Sequence, residues 1–216
     1  MNNRFDLLIF DWDGTLINSI DWIAHCLQTA AERCGCAIPE KQAAKDVIGL
    51  NIQNATSTLH PEADAHTLEQ LVQHYSQEYS SKQLSRADLF PEVIEMLVEL
   101  KQAGYQLAVA TGKTRHGLQD ALQATATEDL FAVTRCADET ASKPDPKMLL
   151  EIMQVTNCTP ERTLMIGDSI HDLQMANNAR ISVVGVTCGA HSKDVLQQHE
   201  PLLCLAHTTE LLAYLR

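Results

Sequence analysis

The sequence has no apolar run long enough to cross a membrane. Its 216 residues contain no stretch close to the roughly 18 apolar residues that a membrane helix needs. The first residues, MNNRFD, lead directly into an apolar segment and lack the pattern of a cleavable signal peptide. We therefore expect a cytoplasmic protein with no membrane partner.

Basic residues are also scarce. The chain carries 16 lysine and arginine residues against 28 aspartate and glutamate residues, a net charge of −12. Because proteins that bind nucleic acids generally present a basic surface, we expect no nucleic-acid partner. Most of the acidic surplus is interpreted as solvated surface.

Cysteine spacing is not that of a zinc site or a disulfide framework. Cys34 and Cys36 are too close together for a CxxC pair, and the seven cysteines show no other spacing typical of zinc ligands. We expect reduced thiols, most of them packed as small core residues. Internal repeats and low-complexity tracts are absent, and the length suits one domain or one domain that carries a smaller one.

Strands and helices alternate over most of the chain. Because such alternation implies parallel pairing, it predicts an α/β sheet. Between the first two strands lie only helical patterns, which predict an inserted all-α segment. Six apolar runs predict strands, at 7–11, 106–111, 131–138, 163–167, 182–186 and 202–205.

Two carboxylates follow the first predicted strand, in the stretch FDWDGT. Asp11 and Asp13 stand at the end of a run that looks buried. Burial of a charge is costly unless the charge is paired or holds a metal ion. The pair therefore predicts a compensating partner elsewhere in the chain.

Polar residues also follow the other strands. Thr111 and Gly112 stand at the end of the second strand, Lys143 follows the third, and Asp168 follows the fourth, with Asp172 four residues later. In open parallel sheets, ligands bind at the carboxyl ends of the strands. We therefore expect these side chains to converge with the FDWDGT aspartates on one edge.

Such a cluster suits phosphoryl transfer. Carboxylates grouped with backbone oxygens favour a hard cation, most naturally Mg²⁺. Lys143 would add positive charge, and Thr111 would donate a hydrogen bond to a phosphate. Asp11 can attack phosphorus to form an aspartyl phosphate. Asp13 can protonate the leaving oxygen and then take a proton from the water that cleaves the intermediate.

The motifs resemble those of the haloacid dehalogenase superfamily of phosphohydrolases, and the resemblance covers the whole chain. It implies a Rossmann-like, three-layer parallel-sheet core with an inserted α-helical cap. The core would comprise 1–15 and 86–216, and the cap would comprise 16–85. Four motifs carry the resemblance in the family's order: DWDGT, ATGK, KPDP and GDSIHD.

The resemblance also implies roles for single residues. Asp11 would be the nucleophile and Asp13 the acid–base. The metal ligands would be the Asp11 carboxylate, the Asp13 carbonyl and Asp168. The implied phosphate-binding residues are Thr111, Gly112 and Lys143, with Asp172 supporting the metal shell or orienting the lysine.

Two further stretches, GLNIQNATSTLHP and TCGAH, resemble the phosphoglycolate phosphatase-like branch of that superfamily. That branch implies a small phosphorylated metabolite as substrate. We also expect a monomer or weak homodimer. Gly49 and Leu50 are expected to form a loop that faces the substrate.

Two residues depart from the family pattern. Arg180 stands where glycine is usual, so the helix end there is expected to lack a left-handed cap. Trp12 replaces a leucine and is expected to shape the site beside the metal.

Several alternatives accompany this interpretation. A phosphosugar mutase would use the same aspartyl intermediate, and a non-catalytic binding protein would use the cap surface. Carbon–halogen hydrolysis is disfavoured, because that branch lacks an acid–base aspartate at the second position. Gly112-Lys113-Thr114 is similar to the end of a P-loop, but Leu107 stands where that motif needs glycine. His171 is interpreted as a solvated loop residue.

Overall fold

The computed structural model describes residues 4–215. Its centre is a six-stranded, fully parallel sheet in the order β3-β2-β1-β4-β5-β6. This strand order is that of doubly wound nucleotide-binding folds and confirms the predicted α/β class. The strands are β1 Leu7–Phe10, β2 Gln106–Thr111, β3 Val133–Cys136, β4 Thr163–Gly167, β5 Ser182–Val186 and β6 Leu203–Leu205.

The first five helices lie between β1 and β2 in the chain, and the other five follow β2. A short helix at Lys193–Gln197 was not predicted from the sequence. In the described part of the chain, no helix is both long and apolar enough for a membrane span. The helices are α1 Ile20–Arg33, α2 Lys41–Asp46, α3 Ile52–Leu59, α4 Ala65–Tyr79, α5 Val93–Gln102, α6 Arg115–Thr125, α7 Lys147–Thr156, α8 Ile170–Asn178, α9 Lys193–Gln197 and α10 Leu211–Leu215.

The sheet is covered by helices on both faces. Successive side chains of a strand point to opposite faces, and β1 is fully buried along its length. Leu8 and Phe10 pack in a cluster with α5, α6 and α10. Leu7 and Ile9 pack in a second cluster with α7, α8 and α9. The result is the predicted three-layer arrangement.

Helices α1 to α4 form a separate packing unit, here called the helical segment. Ile23 and Leu27 of α1 pack with Val47 and Ile48 near the end of α2. Ala30 of α1 packs with Leu71 of α4. The apolar faces of these helices therefore contact each other rather than the sheet.

Two strips of chain join the helical segment to the sheet, and they run side by side. The amide of Asn18 donates to the carbonyl of Asp88 at 2.8 Å, and the amide of Phe90 donates to the carbonyl of Leu16 at 3.0 Å. Both connections therefore leave the sheet at the same place.

The end of α8 differs from the expectation. Arg180 itself adopts the left-handed conformation, with φ of +57°. Its amide donates to Asn177, and the amide of Ile181 donates to Ala176, each at 3.0 Å. These two bonds form a Schellman cap, so the prediction that this helix end lacks a left-handed cap was wrong. The surrounding hydrogen bonds hold a non-glycine residue in a conformation that costs on the order of 1 kcal/mol or more.

The burial of the cysteines also differs in part from the prediction. All seven are free thiols, but only Cys26 and Cys136 are buried. The expectation that most cysteines occupy the core was wrong, since the other five lie at half-buried positions.

Candidate active site

The predicted site residues converge on the carboxyl edge of the sheet. Asp11 follows β1, Thr111 ends β2 and Asp168 follows β4, and each of the three is at most 2% exposed. Lys143 comes from the connection between β3 and α7, and Asp172 lies in the first turn of α8. The sheet order explains this meeting, because β1 lies between β2 and β4.

Lys143 is a buried cation between two carboxylates. Its Nζ lies 2.7 Å from Oδ1 of Asp11 and 2.6 Å from Oδ1 of Asp172. Although burial opposes the charge, Asp11 and Asp172 raise the pKa of Lys143 above its ordinary value. The ammonium group therefore stays charged beneath the edge of the sheet.

Three carboxylates share this small volume. Asp11, Asp168 and Asp172 each offer an oxygen, and these oxygens lie within 4.8 Å of one another. Burial, followed by the charge of Asp172, raises the pKa of Asp168 to about 7. Burial also raises the pKa of Asp11, against the effect of Lys143. The negative charge is therefore only partly compensated by one lysine, and oxygen donors in this arrangement fit a divalent hard cation.

Asp168 is held on both sides. The hydroxyl of Thr15 donates to its Oδ1 at 2.9 Å, and the amide of Ala190 donates to its Oδ2 at 2.7 Å. A Cβ atom on Gly14 or Gly189 would lie 2.2 or 2.0 Å from the same Oδ2. The two glycines are therefore needed for the close approach of the backbone to this carboxylate. The TCGAH stretch supplies part of this support.

The carboxylate of Asp13 has different neighbours from the other three. Its Oδ1 accepts a hydrogen bond from the hydroxyl of Ser19 at 2.7 Å. Its Oδ2 lies 3.1 Å from Nζ of Lys113. Since this carboxylate lies outside the acidic cluster, only its backbone carbonyl, as predicted from the resemblance, remains a candidate metal ligand.

Lys113 is a site residue that the sequence reasoning missed. The sequence placed it in the ATGK motif and in a stretch similar to a P-loop but gave it no role, yet it pairs with Asp13 and donates to the hydroxyl of Tyr79 at 2.6 Å. Its position two residues after Thr111, directly behind a strand of the same edge, was the available signal.

Gly112 lies against the helical segment. A Cβ atom there would lie 2.6 Å from the carbonyl oxygens of both Gly49 and Leu50. The loop between α2 and α3 therefore touches the end of β2, close to Thr111. The expectation that this loop faces the site agrees with its position.

A cavity of about 740 Å³ lies between the sheet edge and the helical segment. Asp11, Asp13, Thr111 and Gly112 line it on the sheet side. Lys143, by contrast, is almost fully buried. A ligand in this cavity would contact Asp11 and Asp13 directly.

Two expectations about neighbouring residues were wrong. His171 is not a solvated loop residue, because it lies in α8 and its Nε2 is 2.9 Å from the carbonyl oxygen of Asp46. Trp12 does not line the cavity. It is fully buried in the core, where its ring packs edge-on against Phe131 with 6.3 Å between centroids.

Comparisons with known proteins agree with this architecture. The family model described as "Haloacid dehalogenase-like hydrolase" matches residues 8–186. "Probable phosphatase IndB" of Dickeya dadantii (strain 3937) is 34% identical over 199 residues, which cover 90% of this chain and 86% of that protein. A phosphoglycolate phosphatase of Psychrobacter arcticus is 29% identical over 218 residues, which cover 97% of this chain and 95% of that protein.

A solved structure gives the same result. A haloacid dehalogenase-like hydrolase from Bacteroides fragilis matches with a TM-score of 0.87 and 29% identity, covering 96% of this chain and 100% of that one. These matches confirm the predicted superfamily, the predicted fold class and the predicted enzyme class, a hydrolase. The chain belongs to the haloacid dehalogenase-like hydrolase family.

Proposed function

We propose that this protein is a Mg²⁺-dependent phosphatase that hydrolyses a small phosphate monoester through an aspartyl phosphate on Asp11. The observation that carries the proposal is the position of Asp11. Its carboxylate lines a ligand-sized cavity and lies 2.7 Å from the buried Nζ of Lys143. The relatives named as phosphatases support the same class of reaction.

In the first step, a carboxylate oxygen of Asp11 attacks phosphorus, and the bond from phosphorus to the ester oxygen breaks. Asp13 gives a proton to that oxygen, so the alcohol leaves neutral. In the second step, water attacks phosphorus while Asp13 takes one of its protons. The bond between phosphorus and Asp11 breaks, and inorganic phosphate leaves.

The other predicted residues would hold the phosphate group. Thr111 and the backbone of Gly112 would donate hydrogen bonds to its oxygens, and Lys143 would balance its charge. Asp172 would orient the lysine, since its Oδ1 accepts from Nζ at 2.6 Å. The other carboxylate oxygen of Asp172, Oδ2, accepts a hydrogen bond from the hydroxyl of Ser169.

The Asp11 and Asp168 carboxylates and the Asp13 carbonyl would hold Mg²⁺. The ion would supply positive charge opposite the transferring phosphoryl group. The fit rests on the partly compensated charge of the acidic cluster.

The chain would divide into a core of 1–15 and 86–216 and a cap of 16–85. Support comes from the separate apolar packing of α1 to α4 and from the paired connections at 16–18 and 88–90. Such a cap would cover the cavity during the reaction and exclude bulk water.

The first prediction concerns Asp11→Asn. We expect this variant to lower metal-dependent phosphate release by at least about 10³-fold, because the amide cannot form the covalent intermediate. The assay measures phosphate released from a panel of monoesters, with Mg²⁺ and with a chelator. Asp145→Asn, an exposed aspartate close to Lys143, is the matched control and should keep full activity. Unchanged activity in a folded Asp11→Asn protein would show that Asp11 is not the nucleophile.

The same assay separates the alternatives predicted from the sequence. Conversion of glucose 1-phosphate to glucose 6-phosphate, in place of phosphate release, would identify a phosphosugar mutase. Absence of metal-dependent turnover across the panel would favour a non-catalytic binding protein.

A further inference from the structure

We propose that the leaving group of the substrate is bulky and apolar and carries no second anionic group. This inference rests on the proposed phosphatase activity and narrows its substrate class. Three features of the cavity carry it: its volume, its walls and the pairing of its charges.

The cavity is large for a short acidic leaving group. Its volume of about 740 Å³ lies in the upper part of the range of roughly 300 to 1,000 Å³ that is usual for small-molecule sites. The phosphate ester of a short hydroxy acid such as glycolate would fill only a small part of this space.

Most of the large side chains that the helical segment contributes to the wall are apolar, beside the polar residues Asn51, Gln53 and Ser76. Ile23 and Leu27 of α1, Val47 after α2 and Ile52 of α3 all line the cavity. They belong to the apolar cluster of the helical segment or pack against it. Contact with these side chains stabilises a hydrocarbon leaving group and gives no hydrogen bond to a polar one.

Two aromatic rings continue this wall. Tyr75 and Tyr79 line the cavity, and their rings stack with 5.8 Å between centroids and 22° between planes. The hydroxyl of Tyr79 accepts a hydrogen bond from Lys113, whose Nζ also lies 4.5 Å from the centroid of the Tyr79 ring. The two rings add apolar area to this wall, which favours contact with flat or aliphatic groups.

The charged side chains around the cavity disfavour a second anion. Among the described residues that line it, the cationic or potentially cationic side chains are Lys82, Lys113 and His116. Each lies beside a carboxylate: Lys82 with Asp88 at 2.7 Å, Lys113 with Asp13 at 3.1 Å and His116 with Asp120 at 3.5 Å.

Asp120 and Asp138 also line the cavity. Their charges oppose a carboxylate or a second phosphate on the leaving group. Burial of an anion without a partner is costly. A monoester of an apolar alcohol therefore fits this cavity better than phosphoglycolate does.

The test is a series of monoesters of primary alcohols: ethyl, butyl and 2-phenylethyl phosphate, together with 2-phosphoglycolate. These alcohols have similar acidity, so the series varies mainly the contact with the cavity. We expect kcat/KM to rise about fourfold for each buried methylene, or about 15-fold from ethyl to butyl phosphate, since each is worth about 0.8 kcal/mol. Phosphoglycolate should be no better than ethyl phosphate. A flat series, or a preference for phosphoglycolate, would overturn the inference.

Leu27→Ala tests the wall directly. It should lower the ratio of butyl to ethyl kcat/KM by at least about threefold, because a methylene contact is lost. Leu59→Ala is the matched control: Leu59 packs against the same apolar cluster but does not line the cavity, so the ratio should stay unchanged. Each ratio is measured within one variant, so a partly unfolded sample does not affect it. Equal butyl-to-ethyl ratios in both variants would show that Leu27 does not contact the leaving group.

Failure of the proposed activity is distinguishable from failure of this inference. If no ester is turned over, calorimetric binding of butyl phosphate and 2-phosphoglycolate to the Asp11→Asn protein decides the matter. Tighter binding of butyl phosphate supports the apolar leaving-group site. Tighter binding of phosphoglycolate overturns it.

Discussion

Lys113 illustrates how a single side chain joins two parts of the molecule. Its Nζ pairs with Asp13, donates to the hydroxyl of Tyr79 and lies 4.5 Å from the centroid of the Tyr79 ring. Although burial opposes the charge, Asp13 and Tyr79 raise the pKa of Lys113 above its ordinary value. Burial raises the pKa of Tyr79, so its hydroxyl stays neutral and accepts the bond. The lysine thus links the sheet edge with α4.

Lys113→Met is expected to destabilise the protein by roughly 3 kcal/mol, because it leaves the nearly buried carboxylate of Asp13 without a cation. Urea unfolding at neutral pH measures the change as a lower midpoint with the same slope. Lys82→Met is the matched control, since Lys82 pairs with Asp88 at a more exposed position beside the same cavity. It should cost less than about 1 kcal/mol. Equal losses in the two variants would refute this role of Lys113.

At the scale of elements, the loop between α2 and α3 connects the helical segment with the sheet edge. Gly49 has φ of +105°, which favours glycine. The amide of Asn51 donates to the hydroxyl of Ser142 at 2.9 Å, and the carbonyl of Asp46 lies 2.9 Å from Nε2 of His171. Together with the contact at Gly112, these bonds hold the loop at the mouth of the site.

Gly112→Ala is expected to displace this loop, because the new Cβ would lie 2.6 Å from two backbone oxygens that cannot rotate away. We expect kcat/KM for any hydrolysed monoester to fall by about tenfold or more, as misplacement of a binding group by about an ångström can cost up to 10²-fold.

Gly117→Ala in α6 is the control for that substitution. Its Cβ would meet only the Thr114 hydroxyl, at 3.3 Å, so activity should stay within about twofold. Unchanged activity in Gly112→Ala would show that the loop position is not critical.

At the scale of the whole molecule, large apolar side chains are exposed at only a few described positions. Ile38, Leu150, Val155, Leu202 and Tyr214 are the exposed large hydrophobic residues. They come from the connection after α1, from α7, from the segment before β6 and from α10. Single exposed apolar residues of this kind are normal on monomer surfaces.

We therefore expect a monomer of 23.9 kDa at micromolar concentration. Sedimentation equilibrium measures the mass directly, and any dimer should dissociate on dilution. A dimer that persists at nanomolar concentration would contradict both the predicted monomer and the predicted weak homodimer.

The sequence by itself determined the strands, their parallel pairing and the residues at their ends. The runs at 106–111, 163–167 and 182–186 coincide with β2, β4 and β5. Short apolar runs bounded by polar residues are local signals, so they can be recognised without knowledge of distant contacts. The position of Asp11, Thr111 and Asp168 behind parallel strands then implied that they would meet.

Only the tertiary structure decided what those residues contact. The partner of Asp13, the buried position of Trp12 and the bond from His171 to the carbonyl of Asp46 all depend on packing between distant segments. The left-handed Arg180 is held by its surroundings against its own preference. The cavity walls likewise arise where the helical segment meets the sheet edge. No local pattern encodes such a meeting, because it depends on how separately packed elements fit together.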